Sequence, residues 1–192
     1  MTCGILLCAG QGLRFKKTRN ELKLLAQLPD GRTVVAASAA NLLQAVGRVF
    51  AVVAGDNRSD ALIRALDDCG CQVVLNPQAA TGMGGSIAVG VVASEFADGW
   101  LLALGDMPYV QPATIKSIVA MGKQTQKIIV PTHNNQRGHP VFFPASYHAQ
   151  LLDLQGDTGA RSIVLENADQ VIEIAVDDSG VLLDVDVPND LK

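Results

Sequence analysis

The most constraining feature of this sequence is a series of short, nearly uncharged apolar runs separated by stretches of helical character. Strands that read as continuous apolar segments are buried on both faces, which is the situation of a parallel sheet covered by helices on either side. Buried strands are expected at Gly4 to Ala9, Arg48 to Val53, Gln72 to Leu75, Trp100 to Leu104 and Lys127 to Val130. Further extended runs are expected from His139 to Phe143, Val171 to Val176 and Val181 to Val185. Helices are expected at Thr33 to Val46, at Arg58 to Asp68 with Asn57 as its cap, at Met83 to Glu95, at Pro112 to Met121 and near Ala160 to Glu166. The pattern predicts a three-layer α/β fold with a mostly parallel sheet. In such sheets ligands bind beyond the carboxyl ends of the strands. The loops after Ala9, Val53, Leu75, Leu104 and Val130 are therefore the places to look for chemistry.

A length of 192 residues suits one domain, 1–192, with no repeat, low-complexity tract or linker to divide it. The apolar fraction of 48% excludes a disordered chain. The longest stretch without charge, Cys69 to Ser94, is interrupted by Asn76, Pro77 and several glycines, so no membrane span is expected. The opening MTCGILLCAGQGLRF lacks the basic start and long apolar core of a secretory leader. Four cysteines, two of them as Cys69-Gly70-Cys71, form neither a disulfide framework nor a metal-spaced set. A cytoplasmic protein is expected.

A net charge of −4 argues against a nucleic-acid partner, but its distribution is uneven. Arg14, Lys16, Lys17, Arg19 and Lys23 place five of the 15 basic residues within ten positions. Glu21 is the one acid among them, so this window carries +4 and the remainder of the chain −8. The window follows Cys8-Ala9-Gly10-Gln11-Gly12-Leu13-Arg14, where Gly10 and Gly12 allow the backbone to approach a phosphate and offer it amides. It is neither a dinucleotide fingerprint, since position 15 is Phe, nor a Walker loop, since no Gly-Lys-Ser/Thr follows. A positive focus on an acidic protein suits a small polyanion such as a nucleoside triphosphate. Arg14 and Lys23 are the better phosphate candidates. Lys16, Lys17 and Arg19 also fit a solvated surface.

Leu101 to Leu104 is an apolar run ending in Gly105-Asp106 and stopped by Pro108. This puts Asp106 on the ligand edge of the sheet, where magnesium characteristically takes one or two carboxylates together with phosphate oxygens. Near the C-terminus, alternation sets Asp184 and Asp186 on one face, and either would complete a metal site. In Asn76 to Ser86, glycines at 82, 84 and 85 are expected to admit a ligand, with Ser86 hydrogen bonding at the start of a helix. Arg137-Gly138-His139-Pro140 and Gly156-Asp157-Thr158-Gly159-Ala160-Arg161 put arginines beside glycines, as an anionic acceptor requires. His133 and His148 have no Ser or Cys elbow nearby, so a nucleophilic triad is not expected.

Seven segments in order, LLCAGQGLRF, KLL at 23–25, NPQAATGMGGSIAVGV, LLALGDMPYV, RGHPVFF, GDTGAR and DVDVPNDL, span residues 5 to 191. This ordered set resembles the molybdenum-cofactor nucleotidyltransferases, most closely their cytidylyltransferase branch. The resemblance implies a Rossmann-like nucleotidyltransferase domain that uses CTP and Mg2+ and transfers CMP to the terminal phosphate of the molybdopterin cofactor, releasing pyrophosphate. It implies nucleotide binding by Ala9, Gly10, Gly12, Arg14, Lys23, Gly85 and Ser86, and a catalytic set of Arg14, Lys23 and Asp106. Asp106 and Asp186 would hold the metal; Arg137, His139 and Arg161 would line the acceptor pocket. A molybdenum hydroxylase, or its chaperone, is the transient partner implied. The first loop is longer than in the family, with Phe15 and the later Lys23, and Val187 stands where threonine is usual before proline.

The reaction expected is in-line attack of the acceptor phosphate on the α-phosphorus of CTP, with catalysis by positioning and charge neutralisation. Three other readings stay open at this point: another phosphorylated acceptor (a sugar or polyol phosphate) or GTP as donor; an NAD-type oxidoreductase, disfavoured by Phe15 and the crowded basic loop; and a non-catalytic binding or delivery protein.

Overall fold

The computed structural model describes residues 1–10, 22–55 and 60–191. Gly12 and Arg14, with Lys16, Lys17, Arg19 and the cap Asn57, lie outside the described residues. An eight-stranded sheet runs in the order β3-β2-β1-β4-β7-β5-β6, with β8 on β5. The strands are β1 (Cys3–Leu7), β2 (Val49–Ala54), β3 (Gln72–Asn76), β4 (Gly99–Leu104), β5 (Ile128–His133), β6 (Gln136–Arg137), β7 (Val141–Pro144) and β8 (Val171–Ala175). Helices α1 (Val34–Val46), α2 (Asp60–Asp68), α3 (Met83–Ala93), α4 (Pro112–Thr125), α5 (His148–Leu152) and α6 (Arg161–Glu166) cover it. Among the described residues, no helix is long and apolar enough to cross a membrane.

Strand alternation divides the core in two. Leu6, Ala51 and Leu101 point to one face and pack with Leu42 of α1, Leu66 of α2 and Ile118 of α4. Ile5, Val52, Trp100 and Leu102 point to the other and pack with Ile87 and Val91 of α3, Leu151 of α5 and Ile163 of α6. This is the three-layer arrangement the apolar runs predict. α1 begins where expected, because the Thr33 side chain accepts from the Ala36 amide at 3.3 Å, and it ends at Gly47 in the left-handed conformation. All four cysteines are unpaired thiols; burial raises that of Cys8 well above its ordinary value and that of Cys71 to about 12.

β1, β2, β3 and β4 are mutually parallel, and β8 is parallel to β5. The run from His139 to Phe143 behaves differently. Within it β7 pairs antiparallel with both β4 and β5. The cause is the hairpin at Asn134-Asn135, whose positive φ values of 49° and 62° fit a tight two-residue turn from β5 into β6.

The expected strand from Val181 to Val185 does not form. Ser179–Leu182 is a 3-10 turn. Its cap, the buried Asp178, accepts from the amides of Gly180 (3.0 Å) and Gln111 (2.9 Å), so the chain is anchored to the start of α4. Gly180 lies so close to Tyr109 that a Cβ there would stand 2.2 Å from the Tyr109 carbonyl oxygen.

Candidate active site

Asp106 follows β4 in the turn that the sequence places there. Gly105 allows this turn, since its amide donates to the Leu7 carbonyl at 3.0 Å and a Cβ would sit 2.8 Å from Cys8 Sγ. Lys23, in the short 3-10 segment Lys23–Leu25, reaches the same place. Its ammonium lies 2.7 Å from Asp106 Oδ2 and 3.1 Å from Asp186 Oδ1. Burial works against the charge on Lys23, but the bonds to Asp106 and Asp186 outweigh it and raise its pKa. The ammonium is therefore retained at all physiological pH values.

The C-terminal carboxylates arrive through the backbone. The Val185 amide donates to the Asp106 carbonyl at 2.9 Å, and the Val185 side chain is fully buried. Its two neighbours then lie on the opposite side of an extended segment, which explains how Asp184 and Asp186 share a face without a strand. Asp190 Oδ2 accepts from the amides of Asp186 and Val187, each at 2.8 Å, and fixes the turn that follows.

Asp106, Asp184 and Asp186 each bring a carboxylate oxygen within 4.8 Å of the others. Asp106 Oδ1 is buried with no hydrogen-bond partner among the described residues. An unsatisfied buried carboxylate oxygen within a set of hard oxygen donors fits a divalent cation of the magnesium or manganese type. The sequence pattern places Asp106 and Asp186 at such a site with Asp184 as the alternative; the geometry brings all three together.

Two cavities adjoin here. One, of about 460 Å³, is lined by Ala9, Gly10, Lys23, Ser86 and Asp106. The other, of about 720 Å³, is lined by Arg137, His139 and Arg161 with an apolar floor that includes Ile87, Leu102 and Phe143. Leu7, Met83, Leu104 and Asp157 contribute to both. Among the described residues, those expected to hold nucleotide (Ala9, Gly10, Lys23, Ser86) and those expected to hold acceptor thus fall into two neighbouring spaces, Gly85 apart. That residue stands beside Ser86 outside either lining, with Thr81 Oγ1 and Asn76 Nδ2 about 4 Å from a Cβ built there.

The other two glycines of this segment correct an expectation. Gly82 lines the smaller cavity, but at both Gly82 and Gly84 the space a side chain would take is filled by facing backbone rather than left for a ligand. A Cβ at Gly82 would lie 2.1 Å from the Gly156 carbonyl carbon, one at Gly84 2.8 Å from the Gln155 amide nitrogen. The Gly84 amide donates to the Gly156 carbonyl at 2.8 Å. These glycines let the loop before α3 clasp the loop before α6, backbone to backbone.

In the larger cavity the three polar residues differ in state. Arg137 is exposed and paired to Glu173 of β8, with Nε at 2.7 Å and Nη2 at 2.6 Å. Arg161 is exposed at the start of α6 and makes no ion pair among the described residues. His139 has its amide on the Val181 carbonyl at 2.9 Å, and its Nδ1 is buried without a partner among the described residues. Burial lowers the His139 pKa against the opposing pull of Asp106 and Asp184, so its neutral form is favoured. The other histidines are structural: His133 Nδ1 lies 3.0 Å from the Val176 carbonyl, and His148 stacks on Trp100.

The chain is 25% identical over 186 residues to the molybdenum cofactor cytidylyltransferase of Escherichia coli, covering 97% of this chain and 91% of that protein. Among solved structures, Rv0371c from Mycobacterium tuberculosis matches with a TM-score of 0.79 at 30% identity, over 98% of this chain and 94% of that one. The same protein has been solved as a complex with manganese, which matches at 0.77 and 29% identity over 98% and 95% of the two chains. A nucleotidyl transferase from Methanothermobacter thermautotroptrophicus shares the fold at a TM-score of 0.82 and 24% identity, over 99% and 94% of the two chains. Residues 4–171 match the MobA-like NTP transferase domain, and the chain belongs to that nucleotidyltransferase family.

Proposed function

We propose that the chain, as one domain over residues 1–192, transfers CMP from CTP to the phosphate of a molybdopterin-type cofactor and releases pyrophosphate. The observation that carries this reading is the pairing of Lys23 with Asp106 and Asp186, with Lys23 and Asp106 lining one cavity beside a second bearing Arg137, His139 and Arg161. The cytidylyltransferase of Escherichia coli that the chain resembles along almost its whole length supports the choice of nucleotide and acceptor. The manganese complex of the mycobacterial relative supports a divalent cation in the reaction, here Mg2+.

In this reading the triphosphate lies along Ala9 and Gly10, with Arg14 of the first loop and Lys23 neutralising the β and γ phosphates as they leave. Lys23 is suited to that task because its ammonium already sits at the carboxylates and needs only to exchange partners. Ser86, at the start of α3, contacts the nucleotide, with Gly85 beside it. Asp106, Asp184 and Asp186 would hold Mg2+, which when bound polarises phosphate oxygens and offsets the charge developing on them. Arg161, unpaired among the described residues, meets the acceptor phosphate; Arg137 does so by exchanging Glu173 for it. Neutral His139 contributes a hydrogen bond and no charge. No protein nucleophile is required, since transfer of this kind depends on positioning and electrostatics. The apolar floor of the larger cavity suits an acceptor with a fused-ring body better than a sugar or polyol phosphate.

The test is pyrophosphate release with CTP, GTP, UTP and ATP offered singly, each with magnesium and molybdopterin. Release with CTP alone is expected. Equal release with GTP would overturn the assignment of nucleotide, and release with a polyol phosphate but not molybdopterin that of acceptor.

A further inference from the structure

Ser86 and Asn76 form a hydrogen bond of 3.0 Å, both side chains only 3% exposed, at the edge of the smaller cavity. The direction of this bond is determined by a third group. Asn76 Oδ1 accepts from the Gln78 amide at 2.9 Å, and a backbone N–H can only donate. The carbonyl end of the Asn76 amide is thereby assigned, and its NH2 end must face Ser86. Ser86 Oγ is then the acceptor in that bond, and its own proton is left over. Ser38 of α1 and Ser94 just after α3 place that proton on the carbonyl four residues back, on Val34 at 3.1 Å and on Gly90 at 2.7 Å. Ser86 makes no such bond among the described residues. Its proton has no acceptor among the described residues, and Ser86 lines the cavity, where a ligand can supply one.

We propose that Asn76 is a positioning residue for nucleotide recognition: its amide fixes the Ser86 hydroxyl as a donor, so that the site selects a hydrogen-bond acceptor on the base or ribose. The proposal rests on the reading that Ser86 contacts the nucleotide. A free serine hydroxyl accepts or donates with equal ease, so without Asn76 that position would not distinguish an acceptor from an N–H. With it, the Ser86 proton needs an acceptor, so a ligand group presenting only N–H toward Ser86 leaves that proton unsatisfied and is disfavoured.

The experiment is calorimetric titration of the full chain with CTP in the presence of magnesium. It compares the wild type with Asn76→Asp, Ser86→Ala and the double variant, each first confirmed as folded by thermal melting. Asn76→Asp keeps the bond to Gln78 but offers Ser86 an acceptor, turning the hydroxyl proton away from the cavity. Loss of one hydrogen bond predicts about tenfold weaker CTP binding for each single variant, and the same tenfold, not a hundredfold, for the double variant. Wild-type affinity in Asn76→Asp, or losses that multiply in the double variant, would overturn the role of Asn76. Should Asn76→Asp not fold, Asn76→Ala releases the hydroxyl instead and predicts about threefold weakening that vanishes in the Ser86→Ala background. Weakening that persists there counts against the proposal. A flat wild-type titration with all four nucleoside triphosphates would overturn the nucleotide reading itself and this inference with it.

Discussion

The amide of Val185 donates to the carbonyl of Asp106 at 2.9 Å, and this one main-chain bond sets the register of the carboxylate cluster. A slip of one residue would bury a carboxylate and expose the valine, exchanging an apolar contact for a buried charge. Asp184 and Asp186 are thus aligned by an apolar side chain that never meets a ligand.

If the three carboxylates share one cation, Asp184→Asn should raise the magnesium concentration for half-maximal activity roughly tenfold, with little change in the maximal rate. Magnesium titration of pyrophosphate release measures this. An unchanged requirement would remove Asp184 from the site.

In the proposed reaction Asp106 is a metal ligand. Asp106→Asn should lower turnover by about 10²–10³-fold while leaving the melting temperature nearly unchanged. Wild-type CMP transfer by this variant would sink the metal assignment.

Lys23 holds together carboxylates that repel one another, with side chains 12% (Lys23), 22% (Asp106) and 35% (Asp186) exposed. With chelator present, Lys23→Met should destabilise the fold by about 1–3 kcal/mol, a figure reduced from that of a fully buried pair for solvent screening. Millimolar magnesium should recover part of this loss, since a divalent cation can take over the neutralising task. Urea melts with and without magnesium read both effects. Equal stability of variant and wild type in chelator would contradict the role given to the ammonium.

His139 contributes to pH dependence with a definite sign. Its pKa is lowered in the folded chain by burial, so the unfolded chain binds the extra proton more readily. Its contribution is fully present above about pH 6.5, the ordinary histidine value, and is lost as pH falls through the lower folded value. His139→Gln should flatten that part of a plot of unfolding free energy against pH. A plot that keeps its slope would place the proton uptake on another group.

Gly82 has φ of 128° and faces the Gly156 backbone at a distance no Cβ tolerates. Gly82→Ala should therefore cost about 2–4 kcal/mol by urea melting, combining backbone strain with a forced shift of the loop before α6. Gly10→Ala, with nothing within 4 Å of the Cβ position among the described residues, should cost less than 1 kcal/mol by the same measure.

The contrast between those two glycines shows what was legible in the sequence. Strand ends, Asp106 and the approach of Lys23 follow from local rules, because apolar runs set the sheet and the sheet sets which loops meet. Gly82 and Gly84 were legible as special, but not as special for what. A glycine that admits a ligand and one that admits another backbone look alike until the facing loop at 155–157 is known. The antiparallel β7 was signalled by Asn134-Asn135, a pair suited to positive φ, yet the apolar run after it reads like any other strand. The segment around Val185 reads as a strand because its alternation is genuine, while the bond from Gln111 to Asp178 that anchors the turn before it joins residues 67 apart. Asn76 gave no sign in sequence, since its role depends on Ser86 ten residues on and on the direction of a single N–H.

The bridge from Lys23 to Asp106 and Asp186 spans 83 and 163 positions of chain. On a ribosome these partners emerge in that order, and the ammonium has one counterion until the second is made. The family pattern ends at residue 171, before Asp184 and Asp186. A nascent chain can thus hold nearly the whole nucleotidyltransferase pattern and still lack two of its three clustered carboxylates. The carboxylate cluster is completed late in synthesis, after all eight strands of the sheet that supports it.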